Sequence, residues 1–451
     1  MTESTTEDSR ALYHESALSA AEPEAGASQP RTARCSKARR KVLIVALNYA
    51  PEMVGCAKYT AELAEALAQD GYRVEVICAP PYYPQWKILE GYSGASWRTE
   101  ILNGVLVRRV PLFVPKKVSG LTRILHLASF GAATVPAALS AAFKFKPDLV
   151  FTVAPTLTSS FAALIAAKIA GARSWLHIQD FEVDAAFELG LLKSRIARRL
   201  ALFAERLTFR AFDRVSTISP AMARLLHAKG VGGDAIVELR NWVDVESIPT
   251  LPSTNTSYRS ELAIDAHDIV ALYSGNMAAK QGIEMLADVA RQIHEGRRAA
   301  VTFIFCGEGP ARASLEAACS DLSNVRFLPL QPLERLGELL GTADVHLLPQ
   351  RPEAADLVLP SKLTGMLASG RPVIAMAMPG SSLEQEVQGA GIAVEPTAKA
   401  MAVALDRLAT DAPLRRELGA GARHRAEAAW QKSAIYEKFV GVIHGLDNCA
   451  G

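Results

Sequence analysis

Short apolar runs alternate with amphipathic helical segments along most of the chain, and this alternation restricts its fold more than any other feature. In the first half, the apolar runs 42–47 and 74–78 flank a helical pattern at 59–67. The second half repeats the order, with apolar runs that include 301–306 and 345–348. Strands that alternate with helices predict a parallel sheet covered by helices on both faces. We therefore expect an α/β protein with one such sheet in each half.

The domain boundaries follow from the length and from local composition. A chain of 451 residues suits two domains, and the polar, proline-rich stretch 249–258 is the predicted linker between them. This leaves an N-terminal domain at 41–248 and a C-terminal domain at 259–428. Residues 1–40 are rich in Ser, Thr, Glu and Ala and then turn basic, without an apolar core, so we predict a disordered tail and not a signal peptide.

The segment around Lys362 predicts a place for an anion. Pro360 favours extended backbone, Ser361 is a good N-cap, and Gly370 ends the short helix that follows. The first turn of a helix leaves backbone N–H groups unpaired, and Lys362 adds a full positive charge beside them. An ordinary capped helix with a solvated lysine explains these residues equally well.

Two glycine-containing loops follow strands of the same predicted sheet. One contains Gly275 and Lys280, and the other contains Gly307 and Gly309. Loop glycines let backbone N–H groups approach phosphate oxygens, and Lys280 could add charge. Loops that follow parallel strands gather at one edge of the sheet, so we expect them near Lys362.

Three carboxylates follow the predicted strand 174–178 in the first half. They are Asp180, Glu182 and Asp184, and His177 comes just before them. Open α/β sheets place ligands at this end of their strands. Helix capping is the competing explanation for each acid, and we favour it for Glu182 and Asp184.

Three segments could meet a sugar or a lipid. The loop 79–86 combines prolines with Tyr and Trp, whose rings either stack on a sugar, pack on a lipid or lie buried against the domain. The stretch 124–143 has no Asp, Glu, Lys or Arg but is only weakly hydrophobic, so we expect a buried or interfacial helix rather than a membrane span. The stretch 191–212 predicts a basic amphipathic helix, which suits an anionic membrane surface or simply a solvated face. Its arginines are Arg195, Arg198, Arg199, Arg206 and Arg210, and its apolar residues are Ile196, Leu200, Phe203 and Leu207.

Several functions are disfavoured. The loop 48–59 has one glycine where a dinucleotide fingerprint needs three. The formal net charge of +2 and the lack of alternating basic and aromatic residues argue against nucleic-acid binding. The six cysteines are scattered and no metal-binding spacing occurs, so we expect no metal, no disulfide framework and a cytosolic protein.

Specific motifs resemble those of a known enzyme family, the retaining glycosyltransferases of family 4. The resemblance covers nearly everything from Val42 to about Phe439. The motifs are Asn48-Tyr-Ala-Pro-Glu, Gly55-x-x-Lys58-Tyr59, Ala79-Pro-Pro-Tyr-Tyr-Pro-Gln-Trp86, His177-Ile-Gln-Asp180, Tyr273-Ser-Gly-Asn276, Gln281-Gly282 and Leu359-Pro-Ser-Lys362.

The resemblance implies the GT-B fold, in which two Rossmann-like domains face each other across a cleft, and a C-terminal helix at 429–451 that crosses back to the first domain. It also implies a nucleotide-sugar donor held by the second domain, with retention of configuration, no cofactor and no bound metal. Asp180 and Lys362 are the implied catalytic residues. The implied donor side consists of Gly275, Asn276, Lys280, Gln281, Gly307, Glu308, Gly309, Ser361 and Lys362, and the implied acceptor side of Gly55, Lys58, Tyr59, His177 and Asp180.

The chain departs from the broader family pattern at three donor positions. Asn276 and Gln281 replace a donor-binding Arg and Lys, and Gly365 replaces the Glu expected to hold the ribose. We expect Lys362, the helix end at Ser361, and Lys280 or Arg351 to balance the diphosphate instead.

The acceptor implied by the resemblance is a polyprenyl-diphosphate-linked saccharide, as in exopolysaccharide synthesis. This predicts a peripheral protein on the cytoplasmic face of the inner membrane. Two rival functions remain, a nucleotide-sugar epimerase of the same fold and a two-lobed solute-binding protein. The sequence names neither the base nor the sugar.

Overall fold

The computed structural model describes two α/β domains, each built on one sheet. The described residues are 40–52, 55–155, 157–181, 183, 195–277, 281–296, 299–351 and 359–448. Both sheets belong to one compact unit, which extends from Arg39 to Gly451. The predicted two-domain α/β architecture is confirmed.

The first sheet has eight strands in the spatial order β3-β4-β2-β1-β5-β6-β7-β8. All neighbours are parallel except the hairpin β3–β4. Sequence analysis did not predict this hairpin. The strands are β1 (Lys41–Ala46), β2 (Arg73–Cys78), β3 (Arg98–Leu102), β4 (Val105–Arg109), β5 (Leu149–Ala154), β6 (Arg173–Ile178), β7 (Arg214–Thr217) and β8 (Ile236–Glu238).

Five described α-helices accompany this sheet. They are α1 (Cys56–Gln69), α2 (Gly120–Ser140), α3 (Leu157–Ala170), α4 (Arg195–Ala211) and α5 (Pro220–Ala228). Ser119 and Thr122 form a capping box at the start of α2, which continues into a π-turn at Ala141–Phe145. Over Gly120–Phe145 this is the one described helix that is long and apolar enough to cross a membrane, but it also packs along α3.

The second sheet has six parallel strands in the order β11-β10-β9-β12-β13-β14. The strands are β9 (Ile269–Ser274), β10 (Val301–Cys306), β11 (Val325–Leu328), β12 (Val345–Leu348), β13 (Val373–Met376) and β14 (Gly391–Val394). The helices are α6 (Ser257–Glu261), α7 (Met285–Gly296), α8 (Arg312–Ala318), α9 (Leu333–Thr342), α10 (Lys362–Ala368), α11 (Ser382–Val387), α12 (Ala398–Thr410), α13 (Ala412–Ala429) and α14 (Lys432–Asn448).

The last helix, α14, packs on the first sheet. The Phe439 ring stacks on Trp175 with centroids 4.8 Å apart and meets Phe151 edge-on at 5.2 Å. Tyr436 donates its hydroxyl hydrogen to Oδ2 of Asp70 at 2.6 Å. The chain thus finishes on the domain in which it began, which ties the two sheets together by a second crossing.

Candidate active site

The Lys362 ammonium lies among polar groups from the carboxyl end of β9. It donates to the Tyr273 hydroxyl oxygen at 2.8 Å and to Oε1 of Gln281 at 2.6 Å. The Tyr273 hydroxyl is itself 2.7 Å from Gln281 Oε1 and from the Asn276 carbonyl oxygen. Burial raises the pKa of the Tyr273 phenol, so it keeps its proton and donates it to these acceptors. The four residues therefore hold one fixed cation at the edge of the second sheet.

The three predicted loop glycines lie beside this cation, and the space around them requires glycine. A Cβ on Gly275 would be 3.3 Å from Lys362 Nζ, and a Cβ on Gly307 would be 1.9 Å from the Gly275 carbonyl oxygen. A Cβ on Gly309 would be 2.4 Å from the Met277 carbonyl oxygen. The loops after β9 and β10 therefore pack backbone against backbone.

The backbone N–H groups of this cradle are not all open to a phosphate. Gly275 N donates to the Cys306 carbonyl at 3.0 Å, and Gly307 N donates to the Leu328 carbonyl at 3.1 Å. The predicted reason for these glycines, direct N–H contact with phosphate, is therefore wrong for these two N–H groups. Gly275 and Gly307 instead bring the strand ends close enough to place Lys362 beside them.

The structure corrects the interpretation of Ser361. This residue has helical backbone angles, φ −60° and ψ −23°, and its side chain makes no capping hydrogen bond. Its carbonyl instead accepts from the Thr364 hydroxyl at 2.9 Å. Because α10 has only seven residues, its dipole is short, and Lys362 supplies the charge at this position.

The other predicted donor-side residues divide into three cases. The exposed Glu308 pairs with Arg312 at 3.3 Å, and Arg351 pairs with Glu284. Lys280 lies outside the described residues. A Cβ at the partly exposed Gly365 would be 3.2 Å from the end of the Leu340 side chain, and the structure does not explain why glycine occupies this position. Within the described ranges, no three His, Cys, Asp or Glu side chains could hold a metal ion, and a metal-free site remains a prediction.

On the first domain, Asp180 follows β6 and lies near the aromatic loop 79–86. Burial raises the pKa of the Tyr83 phenol, and the nearby charge of Asp180 is one of the smaller causes that raise it further, whereas Arg123 lowers it. Tyr83 is half-buried, whereas Tyr82 is buried. The loop is thus anchored by the buried Tyr82 ring, and the next ring, Tyr83, is partly exposed in the neighbourhood of Asp180.

Glu52 holds this loop in place, and sequence analysis missed that role. Its Oε1 accepts from the backbone N–H groups of Tyr82 and Tyr83 at 2.6 and 2.7 Å, and its Oε2 accepts from Asn48 Nδ2 at 2.8 Å. Burial raises the pKa of this carboxyl although all three hydrogen bonds oppose the shift. The available signal was an acid inside the motif Asn48–Glu52, directly after a buried strand.

His177 lies behind the site. Its Nε2 accepts from Gln179 Nε2 at 2.9 Å, so Nδ1 carries the proton and donates it to Ser216 Oγ at 2.9 Å. Burial lowers the pKa of His177 to about 3, which leaves the ring neutral near pH 7. Gln179 continues the network to Asn241 at 2.9 Å. His177 was expected to meet the acceptor, but its position makes it a buried support for the segment that ends at Asp180.

Tyr59 is also buried, at the junction of the domains. Its ring meets Trp242 edge-on at 5.2 Å, and its hydroxyl lies near Thr364 of α10. Lys58 forms an i,i+4 ion pair with Glu62 at 3.8 Å, and Gly55 is exposed at the start of α1 with φ +64°. Tyr59 was predicted on the acceptor side. Its contacts instead join the acceptor-side helix α1 to the helix that carries Lys362.

Two parallel-sheet domains with a cation and strand-end loops at the edge of one sheet define the class of GT-B glycosyltransferases, and the comparisons agree. The first domain matches the model of the Glycosyl transferase 4-like domain at residues 54–242, and the second matches Glycosyl transferases group 1 at residues 268–411. The chain is 37% identical over 415 residues to the putative colanic acid biosynthesis glycosyl transferase WcaI of Escherichia coli strain K12, covering 90% of this chain and 100% of that protein.

Solved structures show the same fold at low identity. Sucrose-phosphate synthase from Thermosynechococcus elongatus superposes with a TM-score of 0.71 at 20% identity, covering 91% of this chain and 100% of that one. Anabaena HepE in complex with UDP and glucose gives 0.65 at 16% identity, covering 90% and 100%. The lipopolysaccharide glycosyltransferase WaaG gives 0.64 at 18% identity, with the same coverage.

The chain therefore belongs to glycosyltransferase family 4, in the group that contains WcaI. It has the GT-B fold and is a glycosyltransferase.

Proposed function

We propose that this glycosyltransferase moves a sugar from a nucleoside-diphosphate sugar to a lipid-linked saccharide, with retention, in the synthesis of a surface polysaccharide. The observation that carries the proposal is the Lys362 ammonium, fixed by Tyr273 and Gln281 at the edge of the second sheet. Two relatives support it. HepE was solved with UDP and glucose, and WcaI is named for colanic acid biosynthesis.

Lys362 would act on the leaving group. When the bond between the sugar C1 and the donor phosphate breaks, negative charge develops on the departing diphosphate. A cation already held in place stabilises that charge without reorganisation at the moment of reaction. Tyr273 and Gln281 accept hydrogen bonds from this ammonium, so their role is to hold Lys362 in position.

The acceptor would enter from the side of Asp180 and Tyr83. With retention, the acceptor oxygen bonds to C1 on the face that the phosphate leaves, and the acceptor proton passes to the released phosphate oxygen. Asp180 would orient the acceptor hydroxyl, and the half-buried Tyr83 ring suits contact with a sugar face. Closing the site around both substrates would exclude water that otherwise hydrolyses the donor.

A membrane-bound acceptor fits an exposed apolar surface on the first domain, which we call the apolar face. Helix α2 packs against α3, and α3 packs against α4, so their outer stripes lie side by side. The large apolar side chains of these stripes are between 40% and 73% exposed. They are Leu121, Ile124, Leu125 and Val135 on α2, Phe161, Ile165 and Ile169 on α3, and Ile196, Leu200, Phe203 and Leu207 on α4.

The charge around the apolar face favours an anionic bilayer as its partner. The arginines Arg198, Arg199, Arg206 and Arg210 are exposed on α4 beside its apolar stripe. The three described helices contain one acid, Glu205, which is buried and paired with Lys229. Exposed apolar area rimmed by cations is the pattern of helices that lie in the interface of an anionic membrane. The protein would then sit as a peripheral protein on the cytoplasmic face of the inner membrane.

The proposal is tested by equilibrium binding to a panel of UDP-, GDP- and dTDP-sugars. The parent should bind one of them selectively. Lys362→Ala should bind it about 10- to 100-fold more weakly, since a hydrogen bond from a charged group contributes about 1.5–3 kcal/mol. Lys399→Ala removes the same charge from an exposed position of the same domain and should bind as the parent does.

Two outcomes would overturn the assignment. Equal affinities of the parent and Lys362→Ala for the nucleotide sugar would show that Lys362 does not bind the diphosphate. Conversion of the bound nucleotide sugar to its epimer without any acceptor would replace transfer by epimerisation.

A further inference from the structure

Three cations gather where the aromatic loop meets the start of α2. The segment that precedes α2 folds back along it, because Thr122 Oγ1 donates to the Lys117 carbonyl at 3.0 Å and His126 Nδ1 donates to the Phe113 carbonyl at 2.6 Å. Lys116 and Lys117 in this segment, and Arg123 on α2, are all exposed. Within the described part of the chain, none of the three cations forms an ion pair with a carboxylate.

This cationic cluster borders the reaction side of the domain. His126 lies one turn beyond Arg123, and its Nε2 accepts from the Tyr82 hydroxyl at 3.0 Å. The His126 and Trp86 rings are 5.1 Å apart. Tyr83 is the next residue of the same loop, and the charges of both Arg123 and Asp180 act on its phenol. Arg123 of the cluster and Asp180 therefore both lie within electrostatic reach of this one aromatic residue.

The same cluster also borders the apolar face. Ile124 of the apolar face directly follows Arg123 on α2 and is 44% exposed, and Leu121 and Leu125, at 69% and 50%, belong to the same first turns of the helix. Phe113 and Val118, in the segment that folds back, are 47% and 49% exposed. The surface thus changes from apolar to cationic to aromatic within the first turns of one helix.

We propose that Lys116, Lys117 and Arg123, the cationic cluster, bind the phosphate groups that join the acceptor saccharide to its lipid. This inference rests on the proposed function and names the part of the acceptor that this surface recognises. The prenyl chain would lie along Leu121 and Leu125, and the saccharide would extend past Tyr83 toward Asp180. A diphosphate diester carries two negative charges, which these three cations, without a carboxylate partner among the described residues, can neutralise, whereas neutral sugars and a hydrocarbon chain would leave them unneutralised.

The test compares two variants that remove equal charge from the first domain. Lys116→Gln/Lys117→Gln removes two cations of the cluster, and Lys144→Gln/Lys168→Gln removes two exposed cations, one in the π-turn that follows α2 and one near the end of α3. Flotation measures binding to phosphatidylcholine vesicles with and without a polyprenyl diphosphate, and to vesicles that contain phosphatidylglycerol. Binding of the donor identified by the panel is measured on the same preparations.

We expect the parent and Lys144→Gln/Lys168→Gln to prefer vesicles with polyprenyl diphosphate over plain phosphatidylcholine. Lys116→Gln/Lys117→Gln should lose about tenfold or more of that affinity, since each cation near an anionic surface changes it severalfold. Arg123→Gln should lose it as well. On phosphatidylglycerol the two double variants should weaken alike, because there only the total charge matters.

Equal losses by both double variants on the polyprenyl diphosphate vesicles would overturn the inference, because ordinary attraction to lipid headgroups would then explain the binding. An unaltered preference in Lys116→Gln/Lys117→Gln would overturn it too. Donor binding separates this failure from that of the proposed function, since it depends on Lys362 and should be the same in all the cluster variants.

Discussion

Replacing Glu52 with alanine should free the aromatic loop 79–86 while leaving the donor side intact. The Glu52 carboxylate is 7% exposed and accepts the N–H groups of Tyr82 and Tyr83 at 2.6 and 2.7 Å. It fastens the loop to the segment after β1 together with Arg109, which donates to the carbonyls of Ala79 and Ala50 at 3.0 and 2.6 Å. Without the Glu52 carboxylate, both N–H groups lose their acceptor.

The size of the effect follows from how deeply each N–H lies. A buried donor left without a partner costs about 1–3 kcal/mol, and the bond to Tyr83 is only partly buried, so water can replace it at the low end of that range. Removing the carboxylate also recovers part of its own desolvation, which is what raises its pKa. A net loss of about 2 kcal/mol is expected, roughly a 30-fold increase in the open fraction of the loop.

Glu52→Gln provides the graded comparison. One amide oxygen can still accept from Tyr82 and Tyr83, but the amide NH₂ would face Asn48 Nδ2, which is also a donor. The loss should therefore be near 1 kcal/mol. Burial raises the pKa of Glu52 in the folded protein. Its contribution to the free energy of unfolding is therefore complete below the ordinary pKa of 4.5 and declines as the pH rises through the higher pKa of the folded state. The difference in the free energy of unfolding between the parent and Glu52→Gln should therefore shift against the parent as the pH rises through this range.

Hydrogen–deuterium exchange of the peptide that contains residues 79–86 measures the open fraction directly. Urea unfolding gives the global stability, nucleotide-sugar binding reports on the donor side, and the exposed Glu437→Ala serves as the matched control. Protection of the Tyr82 and Tyr83 amides should fall in the order parent, Glu52→Gln, Glu52→Ala. Unchanged protection in Glu52→Ala, or a donor affinity that falls with it, would refute the reasoning.

Three further outcomes are expected. Tyr59→Phe should weaken donor binding, because the Tyr59 hydroxyl lies near Thr364 of the helix that carries Lys362, and a double-mutant cycle with Thr364→Val should show that the two losses do not add. His177→Gln should leave the shape of the pH profile of kcat/KM between about pH 5 and 8 unchanged, since burial holds the pKa of His177 at about 3. Loss of the acidic limb of that profile would show that His177 titrates in the reaction. Phe203→Glu should abolish flotation with anionic vesicles and leave unfolding by urea unchanged, because this side chain is 67% exposed. Vesicle binding should also weaken with salt. Retained flotation of Phe203→Glu would contradict the membrane role of the apolar face.

The two sheets could be predicted because their signal is local and repeated. Each central strand is an apolar run, and Leu149–Ala154 and Val301–Cys306 are buried along their whole length. The hairpin β3–β4 was missed because its strands are half exposed and carry mixed residues. Its turn nevertheless held a signal, since Asn103 and Gly104 both have positive φ, 48° and 82°, as a tight hairpin turn requires.

The site could be predicted only in part, because residue type does not reveal burial. His177 and Tyr59 occur in motifs beside the predicted site, yet tertiary packing puts both in the interior. Ser361 has the residue type of an N-cap, but its backbone is already helical, so the side chain cannot reach the first N–H groups. Lys362 lies at this edge of the sheet and its role in donor binding stays a prediction, but the partners that hold it, Tyr273 and Gln281, come from a strand end some eighty residues earlier.

The buried position of Tyr59 has a consequence for how the two substrates meet. Its helix, α1, begins at Cys56 beside Tyr83 and reaches Thr364 of α10 within one turn. Thr364 donates in turn to the carbonyl of Ser361, the residue directly before Lys362. A rigid helix therefore connects the aromatic loop on the acceptor side with the backbone that carries the donor cation. Because packed helices move as units rather than deform, a shift of α1 on acceptor binding would be passed toward Lys362 through the neighbouring side chains of Tyr59 and Thr364.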